Sequence, residues 1–258
     1  MFLVLNKDKI QTYIVSVLTV AVLIVVANIG NVKTISTSAT TKLLPIYHVQ
    51  TEEKKIAFTM NCAWNADDID SILETLKNNN VHITFFMVGN WVDKYPEAVK
   101  KIYEAGHEIG SHSNTHPHVN NLSAEKNLEE IKLGVSKISK ITGKEINLYR
   151  APYGEYNDTV IQTAQENGYY TIQWSVDSLD WKDYGREEII DAVVNHKEMR
   201  NGAIILCHNG AKYTAEALDE MITALKDLGY DFVPISELIY KDNYHMDVTG
   251  RQIKEDGI

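Results

Sequence analysis

With 258 residues, 44% of them hydrophobic and 23% charged, the chain can bury one sizeable core and is most simply one domain with appendages. A net charge of -10 argues against nucleic acid as a partner, because an acidic surface does not release the phosphate counterions that drive such binding. Two cysteines, Cys62 and Cys207, are too few for a disulfide framework, although one bridge between them is compatible with the sequence.

Lys7 and Lys9 precede an almost wholly apolar, uncharged run over residues 10–29. About 20 such residues span a bilayer as a helix, and a basic flank on the N-terminal side places the rest of the chain outside the cytoplasm. Residues 1–30 are therefore expected to form a single-pass transmembrane helix, a membrane anchor. The alternative is a cleaved signal segment and a secreted protein, for which Ser36, Ser38 and Ala39 are small enough but lie late. Residues 31–53, with the Ser/Thr-rich TISTSATT, read as a linker.

From Lys54 onward, short β-branched or aromatic runs alternate with segments of helical period, the pattern of an α/β protein with a parallel sheet. Seven strands are expected: KIAFTMN, VHITFFMVG, HEIGS, INLYR, YTIQWSVD, AIILC and DFVPI. Among the helices, DDIDSILETLKNN carries Ile69, Ile72, Leu73 and Leu76 on one face, and AEKNLEEIKLGVSKISKITG carries Leu128, Ile131, Val135 and Ile138. Gly106, Gly143, Gly168 and Gly229 mark helix ends. The domain spans residues 54–240, and the polar, aperiodic residues 241–258 read as a surface tail.

Seven βα units close as a barrel or remain an open doubly wound sheet, and periodicity alone does not choose between them. Asn61 with Cys62, His112 with His116, Arg150, Asp177 with Asp180, and His208 each fall at or just beyond the end of a different strand. Convergence of five strands on one mouth favours the barrel.

In SHSNTHPH, His112 and His116 are four residues apart, a spacing that sets two imidazoles on one face of a helical turn as metal ligands. The bland reading of such a pair is polar surface, and His107 and His118 are read as structural or exposed. Three further strand ends read YRAPYG, WSVDSLDW and ILCHNG. With these motifs in this order, the chain over residues 54–238 resembles the polysaccharide deacetylase family, also called the NodB homology domain or carbohydrate esterase family 4, and its sporulation-type members in particular.

That resemblance implies a distorted (β/α)7 barrel that holds one divalent metal, zinc being the expected ion, and removes acetyl groups from an N-acetylated glycan of the cell wall or spore wall. It also implies roles. His112 and His116 hold the metal, the backbone N–H of Tyr153 donates to the oxyanion, and His208 is the general acid. Asp180 orients His208, while Tyr153, Trp181 and Trp64, with Asp177, contact the sugar.

The first motif departs from the family. Where the resemblance calls for TFDDG, with the general base and the third metal ligand as successive aspartates, this chain has Thr59, Met60, Asn61, Cys62 and Ala63. An amide accepts a hydrogen bond from water but does not take its proton. Arg150, which by resemblance holds the base ionised, loses its partner and is expected to pair with another acid such as Asp177 or to disfavour protonation nearby. The third metal ligand is Asp68, Cys62 or neither, since a thiolate also binds zinc. Two functions are compatible with these residues: a membrane-anchored, metal-dependent deacetylase impaired at Asn61, or a noncatalytic relative that binds glycan or serves in assembly.

Overall fold

The computed structural model describes residues 11, 14–20 and 42–255. Residues 11 and 14–20 are helical, and residues 14–20 are exposed; most of the apolar run expected as a membrane anchor lies outside the described residues. Among the described residues, no helix is long and apolar enough to cross a membrane.

Residues 42–255 belong to one compact unit. Its central sheet takes β2 (Lys55–Cys62), β3 (Thr84–Met87), β4 (Glu108–Ser111), β5 (Leu148–Tyr149), β6 (Tyr170–Thr171), β7 (Val176–Asp177) and β8 (Ile204–His208) in the order β6-β5-β4-β3-β2-β8-β7. Every pairing in that order is parallel, and β9 (Asp231–Phe232) pairs with the start of β2. The result is a curled half-barrel. Between the strands run α1 (Ile69–Asn78), α2 (Gly89–Lys94), α3 (Pro96–Glu104), α4 (Ala124–Thr142), α5 (Asp158–Glu166), α6 (Arg186–Val194), α7 (Thr214–Asp227) and the single turn α8 (Ile235–Leu238).

Strand alternation sorts β2 into two faces. Ile56, Phe58, Met60 and Cys62 pack with buried residues of the surrounding helices, including Ile72, Leu76, Met221 and Leu225. Ala57 joins the opposite core with Phe86, Leu148, Ile172 and Ile204, so Ala57, Thr59 and Asn61 form the inward row.

The helix α4 shows why its sequence folds as expected. The Ser123 side chain caps its start by accepting from Lys126 N, Ile131 and Ile138 are buried, and Gly143 ends it with a φ of 69°. Gly134 sits where a Cβ would lie 2.6 Å from the Ser113 carbonyl oxygen, which lets this helix press against the loop carrying His112 and His116.

Three expectations are corrected. The run YTIQWSVD is two short strands at opposite edges of the sheet: Ile172 N donates to Tyr149 O at 2.8 Å, whereas Ser175 N donates to Ile204 O at 3.0 Å. One run of chain therefore serves both edges of the half-barrel. Of the expected surface tail, residues 241–255 are part of the domain instead, because β10 (Tyr244–Met246) and β11 (Arg251–Lys254) form an antiparallel hairpin that joins β1 (His48–Val49). The buried Gln252 side chain fixes that hairpin by exchanging hydrogen bonds with both backbone groups of Tyr240, at 2.6 and 2.8 Å. Finally, residues 42–53 are integral to the domain rather than linker, with Ile46 and Val49 buried.

Candidate active site at the mouth of the half-barrel

Parallel pairing brings the ends of the central strands to one rim, with Asn61 directly opposite His208 on β8. Three groups of residues meet there.

The first is a buried polar network around Asn61. Arg150, fully buried, donates from Nη1 to Asn61 Oδ1 at 2.9 Å, from Nη2 to Gln173 O at 3.1 Å and from Nε to Ile172 O at 3.3 Å. Its guanidinium also lies 4.1 Å from the Phe86 ring centroid and 5.5 Å from that of Trp174. Burial lowers its pKa to about 9, against a favourable charge on Asp177. The expected pairing of Arg150 with Asp177 is not made: the Asp177 carboxylate accepts from Leu179 N at 2.9 Å and Trp174 Nε1 at 3.2 Å.

Hydrogen-bond chemistry then fixes every orientation. A guanidinium only donates, so Asn61 Oδ1 accepts and its Nδ2 faces His112 Nε2 at 3.3 Å. A carbonyl only accepts, so His112 Nδ1 carries the proton it gives to Arg150 O at 2.8 Å. The Nε2 lone pair of His112 is thereby left to accept from Asn61. Burial first, then the neighbouring His116, lowers the His112 pKa well below the ordinary value, consistent with a neutral ring.

The second group is the histidine loop. The His112 and His116 rings meet edge to face with centroids 4.8 Å apart, and His116 has a φ of 60°, a costly conformation for a non-glycine residue. Glu130 of α4 holds the loop: one carboxylate oxygen accepts from Asn114 N at 3.0 Å and Thr115 N at 2.8 Å, the other from Thr115 Oγ1 at 2.9 Å. Sequence reasoning missed Glu130, which carries no local signal beyond an ordinary helix acid.

His118, read from sequence as exposed or structural, stacks on Tyr153 at 4.4 Å with its Nδ1 2.7 Å from Glu155 Oε1. Tyr153, at φ 58° in the turn Pro152–Gly154, also meets the His116 ring edge to face.

The third group is the His208–Asp180 pair. His208 Nδ1 lies 2.8 Å from Asp180 Oδ1, and Asp180 Oδ2 accepts from His208 N at 2.6 Å and Thr214 Oγ1 at 2.7 Å. Asp180 is fully buried, and Trp64 stacks on the His208 ring with centroids 5.2 Å apart. Trp64, Tyr153 and Trp181 are 46%, 58% and 50% exposed, so their ring faces are open to a ligand.

The structure brings together Asn61, Arg150, His112, His116, Tyr153, Asp180 and His208 but treats the two candidates for a third metal ligand differently. Cys62, on the outward face of β2, is packed in the apolar core with its thiol pKa raised well above the ordinary value by burial. Asp68 accepts from Gly210 N at 2.6 Å and Asn209 Nδ2 at 3.2 Å. Among the described residues, no three His, Cys, Asp or Glu are gathered to hold a metal ion. The donor set therefore offers a divalent metal two imidazoles once Asn61 Nδ2 releases His112 Nε2, and it lacks a third protein ligand unless Asp68 leaves its present partners. Cys62 and Cys207 are both free.

A family model described as polysaccharide deacetylase matches residues 48–172. The peptidoglycan-N-acetylmuramic acid deacetylase PdaA of Bacillus subtilis is 35% identical over 199 residues, 76% of this chain and 75% of that protein. A peptidoglycan-N-acetylglucosamine deacetylase of Bacillus cereus is 38% identical over 198 residues, 75% of this chain and 92% of that protein. Among solved structures, a CE4 family pseudoenzyme from Bacillus anthracis matches with a TM-score of 0.72 at 33% identity, over 82% of this chain and 73% of that one. A mutant of that pseudoenzyme with restored enzymatic activity also matches at 0.72, with 35% identity over 75% of this chain and 70% of that one. By its motifs, its curled parallel sheet and these likenesses, the chain belongs to the polysaccharide deacetylase family.

Proposed function

We propose that this protein acts outside the cytoplasm, held at the membrane by its N-terminal apolar segment, as a hydrolase that removes N-acetyl groups from peptidoglycan strands, slowly because its general-base position is Asn61. The observation that carries this reading is the His208–Asp180 pair, fully formed at 2.8 Å, beneath an exposed tryptophan at the mouth. A module that only binds sugar needs neither a proton donor nor a buried carboxylate to orient it.

Each residue has a task in that reaction. Trp64, Tyr153 and Trp181 offer faces for the pyranose rings. Nε2 of His208 gives a proton to the departing amine, and Asp180 stabilises the imidazolium that precedes that transfer. The Tyr153 N–H donates to the oxygen that becomes negative. His112 and His116 would hold a divalent ion, zinc by their imidazole donors, which when bound supplies a water of lowered pKa and polarises the acetamide carbonyl.

A second reading is favoured by one specific observation: Asn61 is locked as an amide between Arg150 and His112, where deprotonation of water needs a carboxylate. On that reading the protein binds the glycan without cleaving it. Acetate release from N-acetylated peptidoglycan and from N-acetylglucosamine oligomers separates the two, comparing the full chain with a His208→Ala variant. Release above the variant's level supports the hydrolase; release no higher than the variant's leaves only the binding role.

A further inference from the structure

The N–H that donates to the oxyanion on the proposed function belongs to a residue in an unfavourable conformation. Tyr153 has φ 58° and ψ 9°, and Gly154 follows it at φ 69°. Of these two left-handed residues, only the glycine adopts that region freely, so the turn keeps its shape only where its surroundings hold it. Across the turn, Glu155 N donates to Pro152 O at 3.0 Å. The Tyr153 side chain is exposed, and among the described residues its hydroxyl makes no hydrogen bond. The rings that it meets are those of His116, edge to face, and His118, nearly parallel at 14° with centroids 4.4 Å apart.

His118 is itself fixed through both backbone and ring. Its carbonyl accepts from Asn121 N at 3.1 Å, and the next residue, Val119, is buried with its own carbonyl accepting from Asn127 Nδ2 of α4 at 3.2 Å. A carboxylate only accepts, so His118 Nδ1 carries the proton that it gives to Glu155 Oε1 at 2.7 Å. The other oxygen of Glu155 is buried and has no hydrogen-bond partner among the described residues, so this carboxylate is held by His118. Glu155 lies on the chain just beyond the turn that carries Tyr153. The contacts therefore close a ring, from Tyr153 along the chain to Glu155, across to His118 and back by stacking to Tyr153.

We propose that His118 is a positioning residue for Tyr153: clamped by Glu155, its ring holds the Tyr153 ring and through it the left-handed turn, which sets the direction of the Tyr153 N–H. This rests on the hydrolase reading above for the task of that N–H and deepens it, whereas the clamp stands whatever the site does. His118 touches no reacting atom on this account. Its effect reaches the reaction through the turn, because a donor contributes to the transition state only when it points at the position the oxyanion takes.

The test uses the full chain in detergent and two readouts. The first, without zinc or sugar, is hydrogen exchange at the Glu155 amide, which reports opening of the turn. His118→Ala should speed that exchange roughly tenfold, and His118→Phe, which offers a ring to stack but no bond to Glu155, should recover part of the protection. The second is acetate release from N-acetylglucosamine oligomers by the zinc-supplemented Asn61→Asp chain, whose expected faster turnover separates kcat from KM. In that background His118→Ala should lower kcat about ten- to a hundredfold, less than loss of a whole oxyanion donor, while KM rises by less than about threefold, and His118→Phe should restore most of kcat. Unchanged exchange in His118→Ala overturns the proposal, as does a fall in kcat that His118→Phe leaves in place. Absence of acetate from every chain, with exchange still faster in His118→Ala, overturns the hydrolase reading and keeps the clamp.

Discussion

Arg150 Nη1 donates to Asn61 Oδ1 at 2.9 Å, so a guanidinium with no exposed surface is bonded to an amide where the family resemblance implies an acid. The pair couples stability to chemistry. Replacing Asn61 by leucine should leave a buried guanidinium donor unmatched and cost about 1–3 kcal/mol. Asn61→Asp should be at least as stable as wild type at pH 7, because Arg150 is already desolvated and gains a charged partner. Urea unfolding of the two variants checks this ordering; a leucine variant as stable as the aspartate variant would contradict it.

His107 gives a pH-dependent prediction. Burial, with His82 beside it, lowers its pKa to about 4, and its Nδ1 accepts from Ile83 N at 3.3 Å, a bond that a protonated ring does not accept. Above about pH 6.5 both folded and unfolded states hold a neutral ring, so nothing is lost. As pH falls from about 6.5 to about 4, the unfolded state binds the proton first and stability drops, with no further loss below that. Between pH 7 and 4.5 the wild type should lose about 2–3 kcal/mol from this residue, and His107→Gln should lose correspondingly less, measured by urea unfolding at both pH values.

Much of the fold was legible because the physics that formed it is local. Alternation along KIAFTMN, the apolar stripe over Ile131 and Ile138, and glycines at helix ends each leave a periodic trace. At the site, residues at strand ends were legible for the same reason, since parallel strands deliver their ends to one rim. What was not legible depends on long-range pairing. Ile172 and Ser175 bond to opposite edges of the sheet, and nothing in YTIQWSVD marks where it divides. The polar residues 244–254 become a hairpin only because β1 offers an edge, and Gln252 is buried because Tyr240 offers it two backbone partners. Glu130 looks like a surface residue until the loop that faces its helix is in place. Cys62 neighbours Asn61 in sequence yet turns away from the mouth, because successive strand residues point to opposite faces.

Glu130 should matter through the loop it holds. Removing its carboxylate in Glu130→Ala frees the Asn114 and Thr115 N–H groups and should cost about 1–2 kcal/mol. Hydrogen exchange at those two amides should accelerate more than at the core strands, and Glu130→Gln should recover part of the protection. Exchange unchanged at Asn114 and Thr115 would show that the loop holds itself.

Trp64 stacks on His208, which on the proposed function sets a sugar-binding face beside the general acid. Trp64→Ala should weaken binding of N-acetylglucosamine oligomers by about 1–2 kcal/mol through lost aromatic contact. Titration calorimetry reads that loss, and an unaltered affinity would place the glycan elsewhere.

The central claim is that the acid half of a deacetylase stands intact while its base half is missing at Asn61. Acetate release from N-acetylated peptidoglycan, compared between the zinc-supplemented full chain and its Asn61→Asp variant, tests this most directly. The account predicts that the variant is faster by about a hundred- to ten-thousand-fold, the usual worth of general-base assistance. A wild type as fast as the variant would contradict it, as would a variant that gains nothing.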